Sequence, residues 1–398
     1  MKKLRVGVWL NNTIKPQDGG GFGYYTQLID KLNSYTFKDA EIIFLSNVSF
    51  EDDLPFKHYS VRWKPSRFKK IRLLFVRILS ISTLFSSLQN LLKSIDANQD
   101  GKLKSELYQV ADLIYYPFPE CIYPCFPYIY TLWDLGHLSM FAFPEVNTNE
   151  VFENRESFHR HLIEKALMVF TESDTGKKDV QKYYNMNADR IRIVPLFPST
   201  VIDKNRISRK PEKIEDGCFF IHYPAQFWPH KNHYNLLIAF SKLVKEFPSL
   251  KLIFTGSDKG NKEYLFQTIK QMGLTDDVVD LGFISNEELK WMYRHSQGLV
   301  MPTFLGPTNM PLLEAAELAC PVACSNLPGH IEQLGEYGYY FNPLCPDDIY
   351  HQIRLMITDK KNHQIKPYDS RFNMDAAMLS IDAAFSDLRN IRFCWGQE

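Results

Sequence analysis

Short apolar runs alternate with amphipathic segments along the chain, and this alternation predicts parallel strands covered by helices. The first apolar run, residues 4–10, is followed by a glycine-rich turn and then by apolar residues at helical spacing. Further runs in the first half of the chain lie at 41–45, 113–116, 129–132, 168–171 and 191–194. The first half is therefore expected to be an α/β domain that opens with a strand, a loop and a helix.

A second series of apolar runs begins near residue 217 and predicts a second α/β domain. These runs lie at 218–223, 250–255, 278–281, 298–301, 322–324 and 339–341. Between the two series the chain is polar, rich in Lys and Arg, and without periodicity, as is typical of a linker. The predicted divisions are a first domain at 1–200, a linker at 201–216, a second domain at 217–373, and a C-terminal segment at 374–398. The helix of that last segment could belong to either half, and could pack back on the first domain.

Composition narrows the class of protein without identifying it. Of 398 residues, 45% are hydrophobic and 23% are charged, which favours an ordered globular protein. The chain contains 46 Lys and Arg residues and 46 Asp and Glu residues, so its charge is balanced and no overall positive field attracts nucleic acid. Seven cysteines, an odd number, argue against a disulfide framework and for a reducing compartment. The short N-terminal apolar run predicts a strand rather than a signal peptide, and we expect a cytoplasmic protein.

Two loops that follow predicted strands have residues suited to binding a phosphate. Gly20 and Gly21 precede a helix, where a glycine-rich backbone can approach an anionic ligand closely, although a simple tight turn is an equal alternative. Lys231 follows the first strand of the second domain, where ligands of open α/β sheets bind. The alternative for Lys231 is a solvated surface side chain.

A third loop, Thr308-Asn309-Met310, leads into a helix whose first turn is expected to contain Glu314. A carboxylate at that position can accept hydrogen bonds from both hydroxyls of a ribose, while loop amides bind a diphosphate. The alternative is a Glu that only complements the helix dipole.

Taken together, these motifs resemble glycosyltransferase family 4, and the resemblance covers nearly the whole chain. The matching segments are the glycine-rich loop, Trp133-Asp-Leu-Gly-His, Phe143-Pro-Glu, Arg155-Glu, Thr171-Glu-Ser, Ile193-Val-Pro, residues 226–232, Phe254-Thr-Gly-Ser, Leu281-Gly-Phe and Pro311-Leu-Leu-Glu-Ala. The resemblance implies a GT-B fold, which consists of two Rossmann-like domains with parallel sheets facing a central cleft.

The resemblance also implies roles for individual residues. Lys231 would bind the donor diphosphate, Glu314 would hold the ribose, and residues 308–310 would contact phosphate and the transferred sugar. The remaining donor-side residues implied by the resemblance are Gly20, Gly21, Glu172, Ser173 and Gln226. Asp134 and His137 are the acceptor-side candidates, because a His or Asp on that loop faces the reacting sugar in the family. The alternative for His137 is a loop histidine that is hydrogen-bonded to nearby backbone.

Two positions depart from the family's usual pattern. Gln226 stands where an Arg usually precedes the Lys, and Gly306 stands where the first Glu of a Glu-x7-Glu pair is usual. These departures leave open the alternative that the protein is catalytically silent and binds a nucleotide sugar or a partner transferase.

No metal is expected. The sequence of residues 96–107 resembles a calcium-binding EF-hand loop, but Leu107 occupies the position that requires a bidentate Glu. The chain contains no Asp-x-Asp, so the divalent-metal nucleotide site of the other large glycosyltransferase fold has no obvious ligands.

The segment 62–77 contains seven basic residues and no acid, and it suits an anionic membrane surface. The candidate contact residues are Arg62, Trp63, Arg67, Phe68, Lys69, Lys70 and Arg72. A solvated helix packed on its own domain is the alternative, and the segment is interrupted too often by Ser and Arg to span a bilayer.

The expected function is transfer of a hexose, for example mannose, from a nucleotide diphosphate sugar to a growing glycan with retention of configuration. Surface polysaccharide or O-antigen assembly at the cytoplasmic membrane face is the expected setting. The other interpretations are the silent binder and a sugar-nucleotide epimerase or phosphorylase of the same fold.

Overall fold

The computed structural model describes residues 2–11, 20–47, 58–61, 101–359 and 371–394. In these ranges the chain forms two parallel sheets, one in each half, with buried side chains on both faces of each. The fold is therefore the expected pair of Rossmann-like α/β domains.

The first sheet has the strand order β3-β2-β1-β4-β5-β6-β7, and every pairing in it is parallel. Its strands are β1 (Leu4–Trp9), β2 (Ala40–Ser46), β3 (His58–Ser60), β4 (Leu113–Tyr116), β5 (Tyr128–Leu132), β6 (Met168–Thr171) and β7 (Ile191–Ile193). Its helices are α1 (Gly20–Ser34), α2 (Gly136–Ser139), α3 (Pro144–Asn147), α4 (Val151–Ile163) and α5 (Asp174–Tyr184), and residues 101–110 are also helical. The strand order reverses between β1 and β4.

The second sheet has the strand order β10-β9-β8-β11-β12-β13, again with parallel pairing, and its order reverses between β8 and β11. Its strands are β8 (Phe219–Pro224), β9 (Leu250–Thr255), β10 (Val278–Asp280), β11 (Leu299–Met301), β12 (Val322–Ser325) and β13 (Gly338–Phe341). Its helices are α6 (His233–Glu246), α7 (Lys262–Gln271), α8 (Asn286–His295), α9 (Met310–Glu317), α10 (Pro328–Leu334) and α11 (Pro346–Thr358).

Strand β4 illustrates how the apolar runs build a two-sided core. Leu113 and Tyr115 pack on the face that is shared with α1, whereas Ile114 and Tyr116 pack on the opposite face. All four side chains are buried, because successive residues of a strand point to opposite faces and both faces are covered.

The segment predicted as a linker is packed against the second domain. Val201 and Ile214 are buried, and the Lys290 ammonium donates hydrogen bonds to the carbonyl oxygens of Asp203 and Arg206. Its apolar residues are too widely spaced to produce a periodic pattern, which is why the sequence did not indicate this packing.

The last helix, α12 (Met374–Arg392), lies against the first sheet. Its buried side chains are Ala377, Met378, Ile381, Ala384, Phe385, Leu388 and Arg389. Arg389 Nε donates to the carbonyl oxygen of Lys2 at 2.8 Å, and Ser386 Oγ donates to Asp39 at 2.9 Å. The C-terminal helix is therefore part of the core of the first domain.

Within the described ranges, no helix combines the length and the apolar character that crossing a bilayer requires.

Replacing Phe385 by Ala should destabilise the first domain, because its ring is fully buried against Phe37 and Tyr115. The expected loss in the free energy of unfolding is about 3–5 kcal/mol, measured by guanidinium unfolding. The control is Leu379→Ala on the same helix, where the side chain is 64% exposed, and a change within about 0.5 kcal/mol is expected. Equal losses for the two variants would contradict the packing of α12 on the first sheet.

Candidate active site at the interdomain cleft

In the described part of the chain, residues beyond the carboxyl ends of the two sheets meet in three polar contacts. His230 of the second domain bonds to Glu145 in the first turn of α3, with its Nδ1 at 2.6 Å and its backbone N at 3.0 Å from Glu145 Oε1. Glu332 of α10 accepts the backbone N–H groups of Asp174 and Thr175 at 2.7 and 3.0 Å. Ser199 and Glu314 form the third contact. Side chains that follow the strands of both sheets thus line one cleft.

Lys231 ends a short turn that follows β8, and its side chain is half-buried in the cleft. Its Nζ lies 3.4 Å from Asn309 Oδ1, and no carboxylate oxygen in the described part of the chain lies within 4.0 Å of it. Burial lowers the pKa of Lys231 to about 8, while Asp134 and Glu145 act from farther away to raise it. The site therefore contains a cation whose counter-charges are remote, which favours an anionic ligand.

The loop before α9 is fixed by α10. The backbone N–H of Asn309 donates to Gln333 Oε1 at 2.9 Å, and its side-chain Nδ2 lies 2.8 Å from His330 Nε2. Both ends of the Asn309 side chain are thus engaged, by His330 and by Lys231. Thr308 is half-buried in the same loop, and Met310 is buried.

Gly306 adopts a φ of +116°, a conformation that residues with a side chain rarely adopt. A Cβ at this position would lie 3.0 Å from Asn309 Nδ2. The loop that positions Asn309 in this protein is therefore built around a glycine, and a Glu at position 306 would be strained.

Glu314 lies in the second turn of α9, not in the first turn as the sequence analysis expected, because the helix begins at Met310. It is too far along the helix to complement the dipole at the N-terminus, so that alternative is wrong. Its carboxylate is buried and accepts hydrogen bonds from Ser199 Oγ and, at 2.7 Å, from the Tyr293 hydroxyl. Burial raises the pKa of Glu314, and these two hydroxyls oppose that shift.

Gln226, which occupies the position of the family's Arg, orients an indole ring. Its Oε1 accepts a hydrogen bond from Trp228 Nε1 at 3.0 Å. Trp228 in turn lies parallel to the His230 ring, with 6.5 Å between the ring centroids.

Asp134 is the acceptor-side candidate that reaches the cleft. Its Oδ1 accepts from Arg155 Nη2 at 2.6 Å and from the backbone N–H of Gly136 at 2.8 Å. Burial raises the pKa of Asp134, but Arg155 and this N–H more than compensate, so the pKa is lowered overall. The carboxylate is ionised at neutral pH.

His137 does not reach the cleft. Its side chain is buried between Phe152 and His159 of α4, and its Nε2 lies 3.4 Å from Glu156 Oε2. The helical turn that follows Leu135 directs this side chain into the protein, where it packs α2 on α4. The sequence spacing could not distinguish the two directions.

Ser173 and Glu172 lie at the start of α5. Ser173 Oγ accepts the backbone N–H of Gly176 at 3.0 Å, so this hydroxyl caps the helix. Glu172 is buried, its Oε1 accepts from Ser173 Oγ at 3.1 Å, and its Oε2 has no partner among the residues that the structure describes. Burial raises the pKa of Glu172 to about 8.

Gly20 and Gly21 begin α1 on the first-domain side of the cleft. A Cβ on Gly20 would lie 3.8 Å from Met310 of the second domain, and a Cβ on Gly21 would lie 3.1 Å from the Trp133 ring. Gly21 therefore allows the start of α1 to approach the Trp133 ring closely, whereas a side chain at Gly20 would meet Met310 at an ordinary contact distance.

The sequence analysis did not assign His230, Glu332, Ser199 and Tyr293 to the site. His230 is adjacent to Lys231, and Glu145, its partner, belongs to the Phe143-Pro-Glu segment. Sequence proximity to these motifs was the available signal for His230, whereas Glu332, Ser199 and Tyr293 are brought in only by tertiary packing.

The structure assigns neither a metal centre nor the basic segment 62–77 to this site. Across the described ranges, no three His, Cys, Asp or Glu side chains are grouped so that they could hold a metal ion. The residues proposed for membrane contact, Arg62 to Arg72, lie outside the described residues.

Comparison with known proteins agrees with this architecture. Residues 204–371 match the family described as Glycosyl transferases group 1. O-antigen chain mannosyltransferase B from Escherichia coli is 25% identical over 238 residues, which are 57% of this chain and 61% of that protein. O-antigen chain mannosyltransferase RfbU from Salmonella typhimurium is 27% identical over 220 residues, 55% of this chain and 58% of that protein. The chain thus spans about three fifths of the length of these two curated relatives.

Two solved structures share the fold over nearly the whole chain. The lipopolysaccharide outer core galactosyltransferase WaaB in its apo form has a TM-score of 0.62 at 17% identity, covering 97% of this chain and 100% of that chain. Anabaena HepE in complex with UDP has a TM-score of 0.58 at 16% identity, covering 99% of this chain and 96% of that chain. The fold is GT-B, the two-domain glycosyltransferase architecture.

The raised pKa of Glu172 predicts a specific dependence of stability on pH. Between about pH 4.5 and 8 the folded protein retains a proton that the unfolded chain has lost, so the stabilising effect of Glu172 falls as the pH rises. Glu172→Gln has no such proton. Its stability relative to the wild type should therefore increase from pH 5 to pH 8, by up to roughly 1.4 kcal/mol per pH unit.

Urea unfolding of both proteins at pH 5, 6.5 and 8 measures this difference. Glu164→Gln, the same change at an exposed position at the end of α4, is the control for removing a carboxyl group elsewhere in the domain. A difference for Glu172→Gln that does not change with pH would show that Glu172 is already ionised in the folded protein.

Proposed function

We propose that the chain is a retaining glycosyltransferase of family 4 that transfers a hexose, for example mannose, from a nucleotide diphosphate sugar to a growing glycan. Lys231 is the observation that carries the proposal. It is a half-buried ammonium with no close counter-ion among the described residues, and it lies where the strand order of the second sheet reverses. That position is where open α/β sheets bind ligands.

The mechanism we propose depends on stabilising the leaving diphosphate. Negative charge develops on it as the glycosidic bond breaks, and a fixed cation in a poorly hydrated cleft stabilises that charge strongly. A pKa of about 8 keeps Lys231 mostly protonated at neutral pH. Asp134, ionised on the opposite wall, faces the reacting sugar, and the leaving phosphate accepts the proton of the acceptor hydroxyl. We expect no metal to take part.

The nucleotide ribose is assigned to Glu314. Its carboxylate already binds two hydroxyl groups, those of Ser199 and Tyr293, so its geometry suits a pair of hydroxyl donors. In this proposal the ribose takes the place of Ser199, which lies at the end of the first domain.

Similarity to other proteins supports the donor and the setting. An Anabaena protein of this fold binds UDP, and two partial relatives are named O-antigen mannosyltransferases. We therefore propose surface polysaccharide or O-antigen biosynthesis as the setting. Contact between the 62–77 segment and an anionic membrane stays a prediction from the sequence.

A second candidate is a silent binder, and the φ of +116° at Gly306 is the observation that favours it, because a Glu at this position would be strained. In such a protein the loss of the first Glu would abolish transfer while nucleotide binding persisted. Assays of transfer and of binding on the same protein separate the two functions.

Lys231→Ala and Glu314→Gln should each weaken the binding of UDP or GDP by about tenfold to a hundredfold in calorimetry, because each removes a charge-assisted hydrogen bond. The controls are Lys245→Ala, an exposed lysine of α6, and Glu317→Gln, an exposed glutamate on the same helix as Glu314. Unchanged affinity in both test variants would remove the donor-site assignment. If the wild type binds neither nucleotide, the proposed function itself fails.

Asn309→Ala should lower turnover by about tenfold to a hundredfold, because Asn309 connects Lys231 to the loop that contacts the transferred sugar. Nucleotide affinity should stay nearly constant. The measurement is release of nucleotide diphosphate from a panel of UDP- and GDP-sugars, followed by mass spectrometry. A wild type that binds nucleotide but transfers no sugar to any glycan tested would support the silent binder.

A further inference from the structure

Helix α10 contacts both domains at the cleft. On one side, Glu332 crosses to the first domain, where its carboxylate accepts the backbone N–H groups of Asp174 and Thr175 and, at 2.9 Å, the Thr175 hydroxyl. These donors lie at the N-terminus of α5, where the helix dipole also favours a negative charge. On the other side, His330 and Gln333 bind the loop that precedes α9. Helix α10 thus joins the first domain to that loop.

The packing of α10 on the loop is too close for the two to move independently. A Cβ on Gly329 would lie 1.3 Å from the carbonyl oxygen of Pro307, so the helix backbone lies directly on the loop backbone. The buried Gln333 amide pairs with the backbone of Asn309 in both directions, donating to its carbonyl oxygen at 3.0 Å and accepting from its N–H at 2.9 Å. A displacement of α10 would therefore move Asn309 with it.

A backbone carbonyl determines the direction of the hydrogen bonds at His330. Its Nδ1 lies 2.9 Å from the carbonyl oxygen of Ser325, which can only accept, so Nδ1 carries the proton. Burial lowers the pKa of His330 to about 4, so the ring is neutral at pH 7 and its Nε2 is an acceptor. The Asn309 atom that lies 2.8 Å from Nε2 is therefore the amide Nδ2, which donates.

This direction decides which end of the Asn309 amide faces Lys231. With Nδ2 turned to His330, Oδ1 points to the Lys231 ammonium and accepts from it at 3.4 Å. An amide turned the other way would place an N–H donor against a second donor, and no hydrogen bond would form. The bonds that run from Ser325 through His330 and Asn309 thus position the charge of Lys231.

We propose that Glu332 and His330 are positioning residues for sugar transfer. Glu332 holds α10 against the first domain, and His330 orients Asn309 so that its oxygen meets Lys231. Both act through Asn309 rather than by contact with a ligand, and the ammonium is aligned from both domains although only the second contains it. The role in transfer rests on the proposed function, whereas the link from Glu332 to the loop at 306–312 does not.

Hydrogen exchange followed by mass spectrometry tests this link without an assay of transfer. Glu332→Ala should accelerate exchange at 174–177, which lose an acceptor, and also at 306–312, by about tenfold, because α10 no longer holds the loop in place. Glu336→Ala, an exposed glutamate just after α10, is the control and should change neither segment. Acceleration at 174–177 alone would disprove the link.

NMR of protein with ¹⁵N-labelled histidine tests the orientation of the bonds. The His330 signals are assigned by their loss in His330→Gln. We expect a proton on Nδ1 and none on Nε2 from pH 6 to 8. The opposite tautomer would overturn the proposal, because Asn309 would then have to turn its Nδ2 towards Lys231.

Steady-state kinetics with UDP- and GDP-sugars test the role in transfer. Glu332→Ala and His330→Leu should each lower kcat by about tenfold, while nucleotide affinity stays nearly constant because Lys231 is present but no longer aligned. His330→Gln should retain most of the wild-type kcat, since its side-chain oxygen can accept from Asn309 Nδ2. Adding Glu332→Ala to Asn309→Ala should cause no further loss, because the effect passes through Asn309.

Urea unfolding identifies any variant that is destabilised as a whole, and Glu332→Ala, at a half-buried position, serves if His330→Leu does not fold. Additive losses in the double variant, or equal losses for His330→Leu and His330→Gln, would overturn the positioning role. A wild type that binds nucleotide but transfers no sugar disproves the proposed function instead. Hydrogen exchange and the histidine tautomer then decide the link on their own.

Discussion

Parallel strand pairing is the constraint on which the rest of this protein depends. Parallel strands end at the same edge of a sheet, so every loop that follows a strand is delivered to one side of its domain. Two such edges face each other here, and residues distant in sequence, such as Glu145 and His230, become neighbours. The cleft and its chemistry follow from this arrangement more than from any single motif.

Two side chains of opposite charge, one from each domain, are held at the cleft without pairing with each other. The second domain provides Lys231, and the first provides Asp134, which Arg155 and a backbone N–H keep ionised. Keeping the Lys231 ammonium and the Asp134 carboxylate unpaired with each other in a partly buried site costs free energy. Groups with perturbed pKa values of this kind are concentrated at functional sites, where a ligand can offset the cost. Glu145, which lies near these two groups, is hydrogen-bonded to His230 and does not pair with Lys231.

The strands were predictable because most contain a short run of mainly apolar residues, and β6 and β9 were placed at their observed bounds. Strand β3 was missed because its three residues, His-Tyr-Ser, give no apolar run. Side-chain direction was harder to predict. Spacing placed Asp134 and His137 on one loop, but only the local turn decides that Asp134 faces the cleft while His137 packs on α4. The sequence contained no indication that Glu332 and Ser199 belong to the site, because their hydrogen-bond partners belong to the other domain or lie more than a hundred residues away in the chain.

The position of α12 has a consequence for how the protein is made. From the first domain the chain passes into the second, and α12 then returns to pack on the first sheet. The core of the first domain therefore lacks one of its walls until residues 374–392 have been synthesised, whereas the strands and helices of the second domain all precede those residues. In a growing chain, the apolar side chains of the first sheet that α12 covers stay uncovered by it while the second domain already has all of its elements.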